Sequence, residues 1–248
     1  MITTIFFDVG GTLIHPDMMR LAAPLVAHVR PGEAHLAAAE RAAKHAYKPG
    51  APAGAAGELA AAPAAGRDGQ IQDHPAAGGG HAGPVNRSYW RIYFEALLDA
   101  LGCGQELLPE LTSRAGNSDY WSLADPAAGP ALENLQGRYG LGVISNADGH
   151  IDRVLRRAGL FGFFAAIADS GSLGFEKPDP RIFHAALQQM HARPEQSLYV
   201  GDVYAVDYEG ARNAGMPAVL VDPNGVYRGW NVERIASLHE LPQWVGNK

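Results

Sequence analysis

The sequence predicts an α/β fold in which a parallel sheet carries helices on both faces. Three observations support it. Short apolar segments alternate with helical patterns after residue 130, which is typical of parallel strands joined by helices. A further apolar segment, residues 5–7, lies far upstream and ends at Asp8. The region between them has a helical pattern, and we expect it to form an inserted second domain.

The first strand ends in a chemically informative turn. Asp8 follows the apolar run directly, and Gly10, Gly11 and Thr12 come next. Open α/β sheets place their ligands at the carboxyl ends of strands, so Asp8 is expected beside a ligand. Glycines allow a sharp turn and bring backbone N–H groups close to an anion. This pattern favours a nucleophilic carboxylate that faces a phosphate or carboxylate substrate.

The inserted region is expected to consist of helices and one flexible segment. Residues 16–47 have helical spacing that Pro24 and Pro31 interrupt. Of the 37 residues in 49–85, 26 are Ala, Gly or Pro, too few large apolar side chains to offset the ordering entropy. We therefore expect a flexible insertion there, with a short helix at 58–62. Helices are predicted again over 86–101 and 105–121.

The carboxyl-terminal half is expected to supply most of the sheet. Strands are predicted at 141–145, 165–169, 197–201 and 218–221, with helices near 151–158, 181–191 and 205–214. The first strand must join this sheet. The predicted core domain is therefore 1–14 and 122–248, and the helical cap domain is 15–121. A substrate site is expected between the two domains.

Composition narrows the class of protein. The 248 residues carry a net charge of −6 without a cluster of Lys and Arg, which argues against nucleic acid or an anionic membrane as partner. Cys103 is the single cysteine, so an intrachain disulfide is excluded and a cytoplasmic location is expected. No 18-residue apolar run and no signal-peptide pattern occur. The sequence does not indicate an oligomeric state.

Two further sites in the sequence carry polar residues that could face the ligand. Ser145 and Asn146 come at the end of a predicted strand, where they could bind an anion or cap the next helix. Lys177 precedes Pro178, which holds its backbone extended. It could be presented towards the strand ends or lie exposed in solvent.

Two aspartates complete the set. Asp202 ends another apolar segment, and Asp207 follows five residues later. Carboxylates close to Asp8 would repel one another unless a cation lay among them. Carboxylate and carbonyl oxygens suit Mg²⁺, which often bridges to a phosphate. The alternative is a helix with an acidic first turn, which would explain only one of the carboxylates.

In their order and placement, these segments resemble the haloacid dehalogenase-like hydrolase superfamily, in the subgroup with a helical cap inserted after the first strand. The resemblance covers residues 1–14 and about 129–222, whereas the cap is similar only in position and helical character. It implies a Rossmann-like core domain. The matching motifs are Asp8-Val9-Gly10-Gly11-Thr12, Ile144-Ser145-Asn146, Lys177 in Glu176-Lys177-Pro178, and Gly201-Asp202 with Asp207.

The resemblance implies an aspartyl-phosphate mechanism on a small phosphorylated metabolite. Asp8 matches the nucleophile. Thr12 and Ser145 match hydroxyls that hold the nucleophile and the transferred phosphoryl group, and Asn146 is a further substrate contact. Lys177 matches the lysine that neutralises charge on Asp8 and the phosphate.

The resemblance also implies an Mg²⁺ site. Asp202 matches the main acidic ligand beside Asp8, and Asp207 matches its partner or its support. The Gly10 carbonyl would complete the site, which needs no particular side chain. The N–H groups around Gly10 and Gly11 would bind the phosphate.

Gly10 departs from the family pattern. Phosphatases of this family usually carry a second aspartate there, which protonates the leaving oxygen and activates the water. General acid–base help is typically worth ~10²–10⁴-fold, so ordinary alkyl phosphates are expected to be poor substrates. Either the substrate has a good leaving group, or a cap residue supplies the proton. His15 is the candidate for that residue, because it follows the turn directly and imidazole is a common general acid and base; the alternative is a hinge or capping residue.

Other activities remain open at this point. A dehalogenase or a phosphonate-cleaving enzyme also lacks the second aspartate, but dehalogenases use no metal and phosphonate cleavage needs a cap lysine such as Lys44 or Lys48. A non-catalytic protein that binds phosphorylated ligands is a further alternative. Aromatic residues of the cap could line a substrate entrance or pack the core; they are Tyr89, Trp90, Tyr93, Phe94 and Trp121.

Overall fold

The computed structural model describes residues 1–26, 29–47 and 87–247. Its core is a six-stranded, fully parallel sheet in the order β5–β4–β1–β6–β7–β8, and β2 pairs with β3 in a separate antiparallel ribbon. The strands are β1 (Thr4–Phe7), β2 (Ile14–Pro16), β3 (Trp121–Ala124), β4 (Gly140–Ser145), β5 (Ala166–Asp169), β6 (Ser197–Gly201), β7 (Ala218–Val221) and β8 (Arg234–Ile235).

Helices cover the sheet and form the inserted region. Among the described residues they are α1 (Met18–Leu21), α2 (Ala23–Val26), α3 (Glu33–Ala46), α4 (Arg87–Ala100), α5 (Leu108–Ala115), α6 (Ala128–Leu135), α7 (Ile151–Arg157), α8 (Ser170–Leu173), α9 (Pro180–Gln189), α10 (Glu209–Asn213) and α11 (Leu241–Gly246). None of the helices in the described ranges has the length and apolar character needed to cross a membrane. The protein thus has the predicted α/β fold with a helical insertion.

The central strand β1 is buried on both faces. Phe6 packs on one face against α9 residues such as Phe183, whereas Ile5 and Phe7 pack on the other face with α6, α7 and α11. Successive side chains of a strand point to opposite faces, so a strand covered on both sides reads as one continuous apolar run. Because β1 lies between β4 and β6, the residues that follow these three strands meet at one edge of the sheet.

The inserted helices have their own apolar core. Leu25, Phe94 and Leu111 are fully buried in it, and the cluster continues onto Val203 and Val206, which follow β6. The helical insertion therefore packs directly on the turn that carries the second group of acidic residues. The ribbon of β2 and β3 connects the insertion to the sheet at both ends.

The sequence located most elements well. β4 to β7 match the four predicted strands within one residue, and β6 and β7 match without any difference. In the described part of the predicted helical region 16–47 the helices are α1, α2 and α3, because Pro24 is tolerated in the first turn of α2 and Pro31 lies between α2 and α3. Residues 204–208 form a π-helical turn before α10. The predicted insertion at 49–85, its helix at 58–62 and Lys48 lie outside the described residues.

Candidate active site

Three buried carboxylates converge at the carboxyl edge of the sheet. Asp8 follows β1, whereas Asp202 and Asp207 follow β6, the parallel neighbour of β1. Each offers an oxygen within 4.8 Å of the others. The predicted acidic cluster is therefore present, and its formation follows from the pairing of these two strands.

Lys177 links two of these carboxylates. Its Nζ donates hydrogen bonds to Asp8 Oδ1 at 2.7 Å, to Asp207 Oδ1 at 2.8 Å and to the Tyr199 hydroxyl at 2.8 Å. The side chain is 2% exposed. Burial lowers the pKa of the lysine, but Asp207 and Asp8 outweigh that effect and raise it overall. Lys177 thus lies in the site as a buried ammonium group, and the alternative of a solvated lysine is wrong.

Asp207 is fully engaged by protein donors. Its Oδ2 accepts the N–H groups of Asp202 at 3.1 Å and Val203 at 2.9 Å, and its Oδ1 accepts Lys177 and lies 3.2 Å from the Tyr199 hydroxyl. An oxygen pair with these partners holds the turn and the lysine in place. Of the two roles expected for Asp207, this arrangement matches support of the metal ligands rather than direct ligation.

The electrostatics of the cluster suit a cation. Burial raises the pKa of the Asp8 carboxyl to about 7, because Asp207 and Asp202 add to the effect of burial and Lys177 only partly opposes it. Burial also raises the pKa of Asp202. One additional positive charge among these oxygens would favour the ionised form that a nucleophile requires. Oxygen donors of this kind fit a hard divalent ion such as Mg²⁺.

Asn146 positions the lysine loop. Its Nδ2 donates to the Lys177 carbonyl at 2.9 Å, and its Oδ1 accepts the Lys177 N–H at 2.7 Å. Each end of the amide thus binds the Lys177 backbone, which gives Asn146 a positioning role; the predicted substrate contact stays a prediction. Ser145 is buried at the end of β4, beside the same cavity as Asp8. It does not cap α7, since Asp169 accepts the N–H of Ile151 at 3.1 Å.

The turn after Asp8 requires its glycines. Gly11 has a φ of +84°, and a Cβ there would lie 2.6 Å from Asp202 Oδ2. Its N–H donates to the Ile14 carbonyl at 2.9 Å, so it is not available to bind phosphate as predicted.

Thr12 is 1% exposed and its hydroxyl has no hydrogen-bond partner among the described residues. A buried hydroxyl without such a partner, four residues after Asp8 in the same turn, is consistent with a polar ligand group.

Gly10 lies beneath an aromatic ring. A Cβ at this position would lie 2.9 Å from Trp121 Cζ3 and 3.1 Å from Cη2. Trp121, Trp90 and Asp8 line the same cavity of about 710 Å³ between the sheet edge and the helical insertion. From the sequence, the five aromatic residues of the cap could either line a substrate entrance or pack in the core. Four of them line this cavity and also pack on one another, whereas Phe94 is core only.

Lys44, which the sequence suggested only as a cap lysine for phosphonate cleavage, lies at the acidic cluster. It projects from α3 with its Nζ 3.0 Å from Asp202 Oδ2 and 2.8 Å from Glu40 Oε1, and its side chain is 3% exposed. Burial lowers its pKa, but Asp202, followed by Tyr89 and Glu40, raises it well above the ordinary value. The available signal was the Glu40–Lys44 spacing of four in a helix otherwise rich in alanine.

His15 lies at the rim of the same cavity. It belongs to β2, and its Nε2 is 3.1 Å from Asp125 Oδ2. Its side chain is 42% exposed. The histidine predicted to replace the missing acid is therefore near the site, with one ring nitrogen directed to a carboxylate.

The fold and the site define a hydrolase class in which a parallel sheet presents acidic residues beneath a helical insertion. The chain belongs to the haloacid dehalogenase-like hydrolases, whose family pattern it matches over residues 2–215.

Individual relatives share parts of the chain. It is 31% identical over 157 residues to haloacid dehalogenase-like hydrolase domain-containing protein 3 of Bos taurus, covering 61% of this chain and 62% of that protein. It is 46% identical over 85 residues to the glyceraldehyde 3-phosphate phosphatase of Methanothermobacter thermautotrophicus, covering 34% and 38%. The chain thus spans less than two thirds of the length of these curated relatives.

A solved structure matches over almost the full length. The magnesium-bound hydrolase YfnB of Bacillus subtilis superimposes with a TM-score of 0.62 at 19% identity, covering 99% of both chains. At this level of identity the similarity establishes the fold.

Proposed function

We propose that this protein is an Mg²⁺-dependent phosphohydrolase that acts on a small phosphorylated metabolite through an aspartyl-phosphate on Asp8. The observation that carries the proposal is the contact of the Lys177 ammonium with Asp8 Oδ1 at 2.7 Å, next to the two further carboxylates of Asp202 and Asp207. A nucleophile, a counter-charge and a cation site then occupy one sheet edge, as phosphoryl transfer requires.

The chain's own groups account for most of the chemistry. Asp8 attacks phosphorus, and Lys177 offsets the charge that builds up on the carboxylate and phosphoryl oxygens. The hydroxyls of Thr12 and Ser145 hold the phosphoryl group, with the N–H of Gly10 as a further donor. Asn146 and Asp207 hold Lys177 in position through their bonds to its backbone and ammonium group.

The cation would be held by the carboxylates of Asp8 and Asp202 and by the Gly10 carbonyl, with Asp207 in support. When bound, Mg²⁺ supplies positive charge that offsets the charge on the phosphoryl group. We propose that residues 15–121 form the cap domain and 1–14 with 122–248 the core domain. The substrate would then bind in the cavity between them.

The relatives support a phosphate substrate. The name of the matched archaeal protein specifies glyceraldehyde 3-phosphate phosphatase activity, which indicates that this sequence pattern serves phosphate-ester hydrolysis. Which metabolite this chain uses would depend on the cap residues that line the cavity.

The alternatives are less well supported. A metal-free dehalogenase has no need for the three clustered carboxylates. Phosphonate cleavage through a Schiff base needs a neutral lysine amine, whereas the Lys44 ammonium is paired with Asp202 and Glu40. A non-catalytic binding protein would not need the buried Asp8–Lys177 pair.

An aryl phosphate assay tests the proposal. Turnover of para-nitrophenyl phosphate should require Mg²⁺, stop on chelation and be lost in Asp8→Asn. The variant should still bind inorganic phosphate, which would show that its fold is intact. Conversion of a 2-haloacid that is insensitive to chelation, without phosphate turnover, would favour the dehalogenase. Failure of the wild-type protein to bind beryllium fluoride with Mg²⁺ would argue against any phosphate-based function.

A further inference from the structure

The indole ring of Trp121 occupies the space that a side chain at Gly10 would fill. The ring carbons Cζ3 and Cη2 lie 2.9 Å and 3.1 Å from the position of a Cβ on Gly10. Side chains almost never approach a Cβ this closely. Any acid at position 10 would therefore have to displace the indole ring.

The ring is fixed in this position. The Trp121 Nε1–H donates to the Ala115 carbonyl at 2.9 Å, and the ring packs against Trp90 in a T-shaped pair with centroids 5.5 Å apart. The first contact comes from α5 and the second from α4, so the insertion itself holds the indole against the turn. Because two independent contacts hold the indole ring, it forms a fixed part of the cavity surface.

His15, the histidine expected to supply the proton, has one ring nitrogen directed to another carboxylate. His15 lines the cavity, but its Nε2 lies 3.1 Å from Asp125 Oδ2. Trp121, in contrast, lies directly over the residue that would carry the acid. The leaving group would accordingly meet an aromatic surface where a proton donor would otherwise be.

We propose that the substrate is an aryl phosphate, a phosphate monoester of a flat apolar alcohol of the phenol class, and that Trp121 is its specificity-determining residue. The proposal rests on the phosphohydrolase activity proposed above. A phenolate delocalises its charge into the ring and departs without a proton, which removes the need for an acid. The ring would pack on Trp121 and Trp90, in a cavity of about 710 Å³ that exceeds the volume of a phosphoryl group alone.

The reaction balances without an added reagent. An Asp8 carboxylate oxygen bonds to phosphorus, and the bond from phosphorus to the aryl oxygen breaks with its electron pair leaving on the phenolate. Water then attacks phosphorus, the bond from phosphorus to Asp8 breaks, and phosphate is released. The proton given up by water balances the one that the phenolate takes up from solvent.

A leaving-group series tests the proposal on the wild-type protein. We expect kcat/KM for ring-substituted phenyl phosphates to rise steeply with the acidity of the phenol. Benzyl phosphate places the same ring on an alkyl oxygen. It should bind as an inhibitor about as well as phenyl phosphate but turn over ~10²-fold or more slowly. A shallow dependence, or equal turnover of benzyl phosphate, would overturn the inference while leaving the phosphohydrolase intact.

Two variants give a second, independent readout. Gly10→Asp alone should reduce turnover of every substrate, because the side chain meets the indole. In a Trp121→Ala background the same substitution should raise benzyl phosphate turnover above that of Trp121→Ala alone. No turnover of aryl phosphates beside Mg²⁺-dependent turnover of an acyl phosphate would overturn this inference alone, whereas no turnover of either would refute the phosphohydrolase itself. An unchanged leaving-group dependence in Trp121→Ala, together with a steeper one in His15→Asn, would assign the proton donor to His15 instead.

Discussion

The Lys44 Nζ of the helical insertion lies 3.0 Å from Oδ2 of Asp202, a carboxylate of the sheet edge. Glu40, on the same helix, accepts a hydrogen bond from Asn224 Nδ2 at 2.8 Å, and His45 Nε2 lies 2.9 Å from the Val226 carbonyl. Helix α3 is therefore joined to the core by three polar contacts, and the first of them occupies an oxygen expected to bind the cation.

Replacement of Lys44 should couple stability to Mg²⁺. Lys44→Met leaves the buried Asp202 carboxylate without its partner, which typically costs roughly 3 kcal/mol of unfolding free energy. Because the ammonium no longer competes for Asp202 Oδ2, added Mg²⁺ should bind more tightly and recover part of the loss. Urea unfolding with and without Mg²⁺, and calorimetric titration of Mg²⁺, measure the two effects.

An exposed ion pair provides the matched control. Arg91 pairs with Glu95 at 2.7 Å with side chains 68% and 38% exposed, and such pairs contribute less than about 1 kcal/mol. Arg91→Met should change neither stability nor Mg²⁺ binding noticeably. If Lys44→Met behaved like this control, the contact with Asp202 would have no energetic role.

Gly11→Ala should disrupt the acidic cluster. The left-handed backbone alone costs an L-residue roughly 1–2 kcal/mol, and the new Cβ would also lie 2.6 Å from Asp202 Oδ2. Gly102→Ala is the control, since Gly102 has a φ of +66° and open space around the Cβ position. Both variants should lose stability, but only Gly11→Ala should also lose Mg²⁺ affinity. Equal Mg²⁺ affinity in the two would refute the steric role.

Asn146→Ala should lower turnover more than substrate binding. It removes both hydrogen bonds that hold the Lys177 backbone, at a cost of about 1–3 kcal/mol for groups left unpaired in the interior. A displaced lysine reduces kcat, while KM changes little. Asn146→Asp keeps the acceptor for the Lys177 N–H and should recover part of kcat. A change confined to KM would instead support the substrate contact first expected for Asn146.

Glu176 should make stability depend on pH. Burial raises the pKa of its carboxyl to about 7, and Lys177 only partly opposes this. Folding thus favours the protonated form, so the contribution is fully present below about 4.5 and is lost as pH rises towards 7. Glu176→Gln should raise the Tm at pH 8 relative to wild type and have little effect at pH 4. A Tm difference that is the same at both pH values would contradict this assignment.

The sequence predicted those strands that have a clear local pattern of residues. β1 and β6 were evident because both are buried on two faces and each ends in an aspartate, and that parallel pairing alone brings Asp8 to Asp202. The two-residue strand β8 escaped prediction because it carries only Arg234 and Ile235. Short edge strands have too few residues to show a period.

Contacts between the helical insertion and the sheet could not be predicted from the sequence. Trp121 covers Gly10, and Lys44 reaches Asp202, only because α3, α4 and α5 pack on the turn after β6. Tyr199 was predicted as part of a strand, yet its hydroxyl reaches Lys177 because its side chain alternates to the α9 face. Such distances depend on domain packing rather than on local spacing.

The ion pairs of the site leave a definite imbalance of charge. The carboxylates of Asp8, Asp202, Asp207 and Glu40 are matched by only two ammonium groups, those of Lys44 and Lys177. Fully ionised, these six groups carry two more negative than positive charges, the amount that one divalent ion neutralises. A phosphate dianion that arrived first would be repelled, so the cation should bind before the substrate in an ordered sequence.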